Sequence, residues 1–250
     1  MGQAFSFQRV LQFIKRDLVL LRGTFLTGFL VAIILVFLFC LLNMMWDQKL
    51  GLEEFYGIFG LIYFPMGLLF TFSLFREFSN PKTNALYLAL PISTSERLVA
   101  KWLTVTVIYT LLFSVVAQLV ATFAMIVGIV LSGADFSLLT PFSKSYLSIV
   151  GAYLLIQPVF MVGALTFSKN RIGKTLLSMG VVILCFLLLN FLMYALFNRG
   201  LGVFSEEGLG SAAFSKAGAD FSIFGQWFYG LIFGPLMLVV ACFKMVEKEV

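Results

Sequence analysis

The residues that could do acid–base or nucleophilic chemistry in this 250-residue sequence are few and poorly partnered. Adjacent carboxylates occur at Glu53-Glu54 and Glu206-Glu207, but proton transfer needs a second, suitably tuned group, and the chain contains no histidine. That absence removes His-dependent zinc sites, a Ser-His-Asp triad and histidine proton relays together. Gly173-Lys174-Thr175 has the ending of a phosphate-binding loop, yet Ser168 stands where that motif needs its first glycine and no strand precedes it. Cys40, Cys185 and Cys242 lie within or at the ends of apolar runs, with neither metal nor disulfide spacing. The expectation is a chain with no catalytic or metal site and no cofactor of its own.

The elements that position the remaining polar groups are themselves apolar. With 61% hydrophobic and 12% charged residues and a mean hydropathy of +1.03, too little polar surface exists to cover a soluble domain. Six charge-free runs are long enough to span a bilayer: 23–45, 55–75, 102–131, 146–167, 175–197 and 221–243. The fold class expected is therefore all-α, a polytopic membrane protein in a single transmembrane domain. The third run is the longest and should project beyond the bilayer at its start. The first is too long for a signal h-region and is expected to stay attached.

None of these runs contains Asp, Glu, Lys or Arg. Ion-coupled carriers commonly keep such residues inside the membrane to bind the driving ion. Here the inventory is Gln118, Gln157, Asn190 and Gln226, which can line a path or hydrogen-bond between helices but cannot titrate. Energy for any transport would have to come from elsewhere, and since the chain carries no nucleotide-binding motif a separate soluble ATPase on the cytoplasmic side is the natural supplier.

Of the 17 Lys and Arg residues, 13 lie in the N-terminal segment, the 76–101 loop, the loop after the fourth run and the C-terminal segment. By the positive-inside bias these face the cytoplasm, and the net charge of +5 reflects topology rather than nucleic-acid binding. Ahead of the first run, over 5–21, apolar residues recur at helical spacing (Phe7, Val10, Leu11, Ile14, Leu18), while Arg9, Lys15 and Arg16 take the other side. This reads as an amphipathic helix lying in the interface with its cations among lipid head groups, or as a basic extension of the first span. Pro65, Pro158 and Pro235 interrupt three spans, as hinges or as packing devices. Gly230 and Gly234 form a GxxxG that suits close helix packing within or between chains.

One polar stretch, Arg76 to Lys101, is punctuated too regularly to be slack. Asn80-Pro81 reads as an N-cap followed by proline at the first helical position, which predicts a short helix over about Lys82 to Ala89 that Pro91 stops. Ser93 and Glu96 then have capping-box spacing, opening the helix that enters the membrane.

This layout resembles the membrane subunit of ATP-binding-cassette transporters of the type-2 exporter class. The more specific likeness is Ala85-Leu86-Tyr87-Leu88-Ala89-Leu90-Pro91-Ile92-Ser93 with Glu96 through Leu103, similar to a segment at the start of the third span in bacterial permeases of that class. The resemblance implies an elbow helix at 5–21, a coupling helix at Pro81 to Leu90 and a membrane dimer in the bacterial inner membrane. It also implies a cytoplasmic nucleotide-binding ATPase holding ATP and Mg, docked through Pro81, Lys82, Asn84, Leu86, Tyr87, Leu90 and Pro91. The external loop 198–220 lacks a clear re-entrant pattern. The alternative is a non-transporting assembly or immunity factor that binds a partner through the same loop.

Overall fold

The computed structural model describes residues 5–79, 92–197 and 232–247. Among these the backbone is helical, with a single isolated bridge between Lys49 and Asp135. The helices are α1 (Phe7–Leu20), α2 (Arg22–Asp47), α3 (Leu52–Leu74), α4 (Thr94–Ser132), α5 (Lys144–Thr166), α6 (Arg171–Phe197) and α7 (Gly234–Glu247). Five of them, α2 to α6, are long and apolar enough to cross a membrane, and the chain is a multi-pass membrane protein. The expected 221–243 span falls partly outside the described residues, and α7 lies at its far end.

The helix ends follow local chemistry. At α3, the Gly51 N–H donates to the Glu54 carboxylate at 2.6 Å, and Glu53 and Glu54 place negative charge in the first turn, where the helix dipole favours it. Ser143 caps α5 by accepting from the Tyr146 N–H at 3.1 Å. Gly133, at φ +66°, ends α4 in the left-handed conformation, with its N–H on the Ile129 carbonyl.

The longest helix opens at the expected Ser93 cap, ahead of the apolar run that begins at Trp102. From Thr94 it continues for 39 residues, about 58 Å at 1.5 Å per residue, so its first turns carry Glu96, Arg97 and Lys101. Between Thr104 and Ile108 it widens into a π turn, where the Tyr109 N–H reaches back to the Thr104 carbonyl. The Tyr153 hydroxyl of α5 donates to the Val105 carbonyl inside that turn at 2.9 Å.

The bundle centre is aromatic. Tyr63 (α3), Tyr109 (α4) and Tyr153 (α5) are buried, with ring centroids 4.7 to 5.8 Å apart. Each hydroxyl has a partner, as an apolar interior demands: Tyr63 with Thr110 at 2.6 Å, and Tyr109 on the Tyr63 carbonyl at 2.7 Å. Around this core α2 packs on α3 and α4, and α5 packs on α3, α6 and α7. The outward faces stay apolar, which suits lipid: Leu30, Leu111, Leu119 and Leu184 are all more than half exposed.

Gly67 lets the three rings meet, because a Cβ there would come within 2.6 Å of the Tyr153 hydroxyl and 2.8 Å of the Tyr109 ring. Gly67→Ala is expected to cost about 1–3 kcal/mol by overpacking. Gly57→Ala on the same helix, where a Cβ meets nothing within 4 Å, should be close to neutral. Denaturant titration in detergent reads the difference, and equal losses in the two variants would contradict the packing described.

Candidate functional site

The described residues bring charge together at one place, where α1, the end of α3, the 3-10 turn Arg76–Ser79 and the start of α4 converge. Its centre is Lys101, whose side chain is completely buried. The ammonium donates to Asp17 Oδ2 of α1 at 3.2 Å and to the Leu74 carbonyl of α3 at 2.8 Å, and Glu77 Oε2 lies 4.0 Å away. Phe13, Phe75 and Phe78 place their rings 5.3 to 5.8 Å from Nζ, close enough for cation–π attraction. Arg16 closes the group by donating to Asp17 at 3.2 Å and to Glu77 at 3.0 Å. Two cations and two carboxylates thus balance, with Lys101 and Asp17 buried and Arg16 and Glu77 partly exposed at the edge.

A second pair stands a little over one turn earlier on α4. Glu96 is fully buried and makes the capping box with Ser93: its Oε2 accepts from the Ser93 N–H at 3.0 Å, and the Ser93 hydroxyl accepts from the Glu96 N–H at 3.3 Å. The other carboxylate oxygen accepts from Arg9 at 2.8 Å and from the Ser6 N–H at 2.7 Å. Arg171, at the start of α6, donates to the Phe75 carbonyl at 3.2 Å and ties a fourth helix to the same end.

Arg9 and Arg16, each about one-third exposed, pair with protein carboxylates, while Lys15 is exposed. The stripe that α1 buries is Val10, Phe13, Ile14 and Asp17, and Phe7 and Leu11 stay more than half exposed beside it. The reason is electrostatic: burying Lys101 requires a carboxylate opposite, and Asp17 supplies it from that stripe.

The other sequence-derived candidates are scattered. Gln118 donates to the Leu139 carbonyl at 3.1 Å, near the opposite end of the bundle. Gln157 is completely buried in α5, with no hydrogen-bond partner for either end of its amide. The side chain of Asn190, all of Gln226, and Pro81, Lys82, Asn84, Leu86, Tyr87, Leu90 and Pro91 lie outside the described residues. Sequence reasoning missed Asp17, Glu77 and the burial of Lys101. A signal existed for the first, since Asp17 continues the 10, 13, 14 spacing and so puts an acid in the apolar register of an amphipathic helix.

Asp17 and Glu96 each accept hydrogen bonds on both carboxylate oxygens, so this arrangement holds helices together. Breaking one side of a buried pair leaves an unmatched charge. Lys101→Met is expected to destabilise the protein by about 3–5 kcal/mol, while the double variant Lys101→Met, Asp17→Leu should recover much of the loss. A double-mutant cycle by denaturant titration measures this, and additive losses would contradict the pairing.

No protein-family model matches the chain, and neither does any curated protein or solved structure.

Proposed function

We propose that this chain is the permease subunit of an ATP-driven exporter, working as a dimer and drawing energy from a separate cytoplasmic ATPase that docks on the segment between α3 and α4. In this reading α1 is the elbow helix and residues 81–90 are the coupling helix. The observation that supports it most is how firmly both flanks of that segment are fastened. On one side the Arg76–Ser79 turn is held through Glu77 to Arg16, beside Lys101. On the other, Ser93 and Glu96 are held to each other and to Arg9. A displacement applied to 80–91 would pass into α1, α3 and α4 together instead of dissipating in slack chain. The lack of ionisable residues in the apolar runs agrees with energy delivered from outside the membrane.

The test is to disturb the docking residues while leaving the anchors intact. Leu86→Asp and Tyr87→Asp place an unpaired carboxylate in the proposed docking contact, costing several kcal/mol against the roughly 8 kcal/mol of a micromolar interface. The expected result is normal membrane abundance, weakened copurification of the ATPase and loss of ATP-dependent export from inverted vesicles. Wild-type binding and flux in both variants would rule the reading out. Partner capture without nucleotide-dependent flux in the wild-type protein would favour the assembly-factor alternative.

A further inference from the structure

At the end of the bundle opposite Lys101, a cavity of about 290 Å³ opens between the start of α3, the middle of α4 and the start of α5. Five of its lining residues are aromatic: Phe55, Tyr56, Phe59, Phe142 and Tyr146. Their rings form a connected set, with centroid separations of 6.0 Å for Tyr56–Tyr146, 5.9 Å for Phe59–Tyr146, 6.3 Å for Phe55–Phe59 and 5.7 Å for Phe142–Tyr146. No charged side chain lines the space.

The polar groups at this wall are hydrogen-bonded to loop carbonyls or to each other. Tyr56 gives its hydroxyl proton to the Thr140 carbonyl at 2.8 Å, and Gln118 gives an N–H to the Leu139 carbonyl at 3.1 Å. Ser114 and Tyr146 share a hydrogen bond at 3.0 Å. The Ser114–Tyr146 pair uses one of its two hydroxyl protons and Gln118 one of its two N–H groups, so the wall keeps donors and oxygen lone pairs beside its five aromatic rings. Phe142 adds a rim: it is 74% exposed and held at φ +65°, a backbone region that bulky residues rarely occupy, with its ring edge-on to Tyr146. The surrounding charge has the same sense, since Asp47, Glu53, Glu54 and Asp135 outnumber Lys49 and Lys144 in the adjoining segments.

We propose that this aromatic cavity binds a small quaternary ammonium group. Its volume lies at the lower end of the range for ligand sites and suits one such head group better than a drug-sized molecule. Rings lining a site with no competing cation are the arrangement that recognises such groups. The proposal is independent of the transport reading, because it uses neither the 76–101 segment nor an ATPase.

The test uses the full chain in phosphatidylglycerol nanodiscs, so that the lipid brings no quaternary ammonium. Choline and its neutral isostere 3,3-dimethylbutanol are titrated by calorimetry. Choline is expected to bind at least about tenfold tighter than the isostere. Phe142→Ala, at an exposed rim position that leaves the core untouched, and Tyr146→Leu should each weaken choline about tenfold, while Tyr146→Phe, which keeps the ring, should weaken it less. Equal affinity for choline and the isostere, no choline binding at 100 mM, or undiminished binding in both ring-removing variants would overturn the assignment. Adding phosphatidylcholine to the nanodisc separates the two sources of this chemistry. Competition with choline supports a cavity that takes a lipid head group, and unchanged choline affinity supports one that takes the free cation.

Discussion

A buried ammonium is the constraint from which much of this architecture follows. Lys101 sits on the long helix α4 where water is excluded, and an unpaired charge there would cost several kcal/mol. Asp17 and Glu77 therefore have to stand close by, and they come from segments on either side of two spans. Once two carboxylates gather around one lysine a second cation is needed, and Arg16 meets it. The orientation of α1 is then set by the protein as much as by lipid, because turning its Asp17 stripe away would strand Lys101. Such a node is poor evidence of stability in itself, since a well-packed apolar replacement can be as stable. Its effect is to specify which helices meet and in what rotation.

The two ends of the bundle solve different problems. At the Lys101 end, carboxylates, guanidinium groups and backbone carbonyls pair across α1, α3, α4 and α6. In the centre three tyrosines bury their rings and spend their hydroxyls on Thr110 and on the backbone carbonyls of Tyr63 and Val105, joining α3, α4 and α5 by directional bonds in a region where lipid offers none. At the far end the aromatic packing loosens around an open space, and the polar groups turn to loop carbonyls such as those of Leu139 and Thr140.

How much of this was legible in the sequence depended on how local each feature is. Charge-free apolar runs mark the spanning helices directly, because hydrocarbon thickness dictates their length. The Ser93 to Glu96 spacing carries its geometry within one turn, so the start of α4 could be read there even though the apolar run begins later. The ionic node could not be read in the same way. Asp17 and Lys101 are 84 residues apart, Arg9 and Glu96 are 87 apart, and no periodicity connects them. Counted only as cations, Arg9, Arg16 and Lys101 told of membrane sidedness; their partners emerge only when α1 is folded back against α4. The cavity at the far end was illegible for a related reason, since Phe55, Gln118 and Tyr146 belong to three different spans and each looks like ordinary lipid-facing or packing sequence alone.

The π turn of α4 has a consequence for which changes in chain length the protein tolerates. A regular helix turns about 100° per residue, so the eight positions from Lys101 to Tyr109 would leave their side chains roughly 80° apart. The wide turn at Thr104–Ile108 takes up that excess, and the buried lysine and the buried tyrosine share one face. Deleting a single residue from this stretch would restore regular geometry over seven positions, about 20° short of two full turns, and leave the lysine and the tyrosine on one face. An added residue would instead turn one half of α4 by about 100° against the other and send either the charge or the ring towards lipid, so this stretch is more open to shortening than to lengthening.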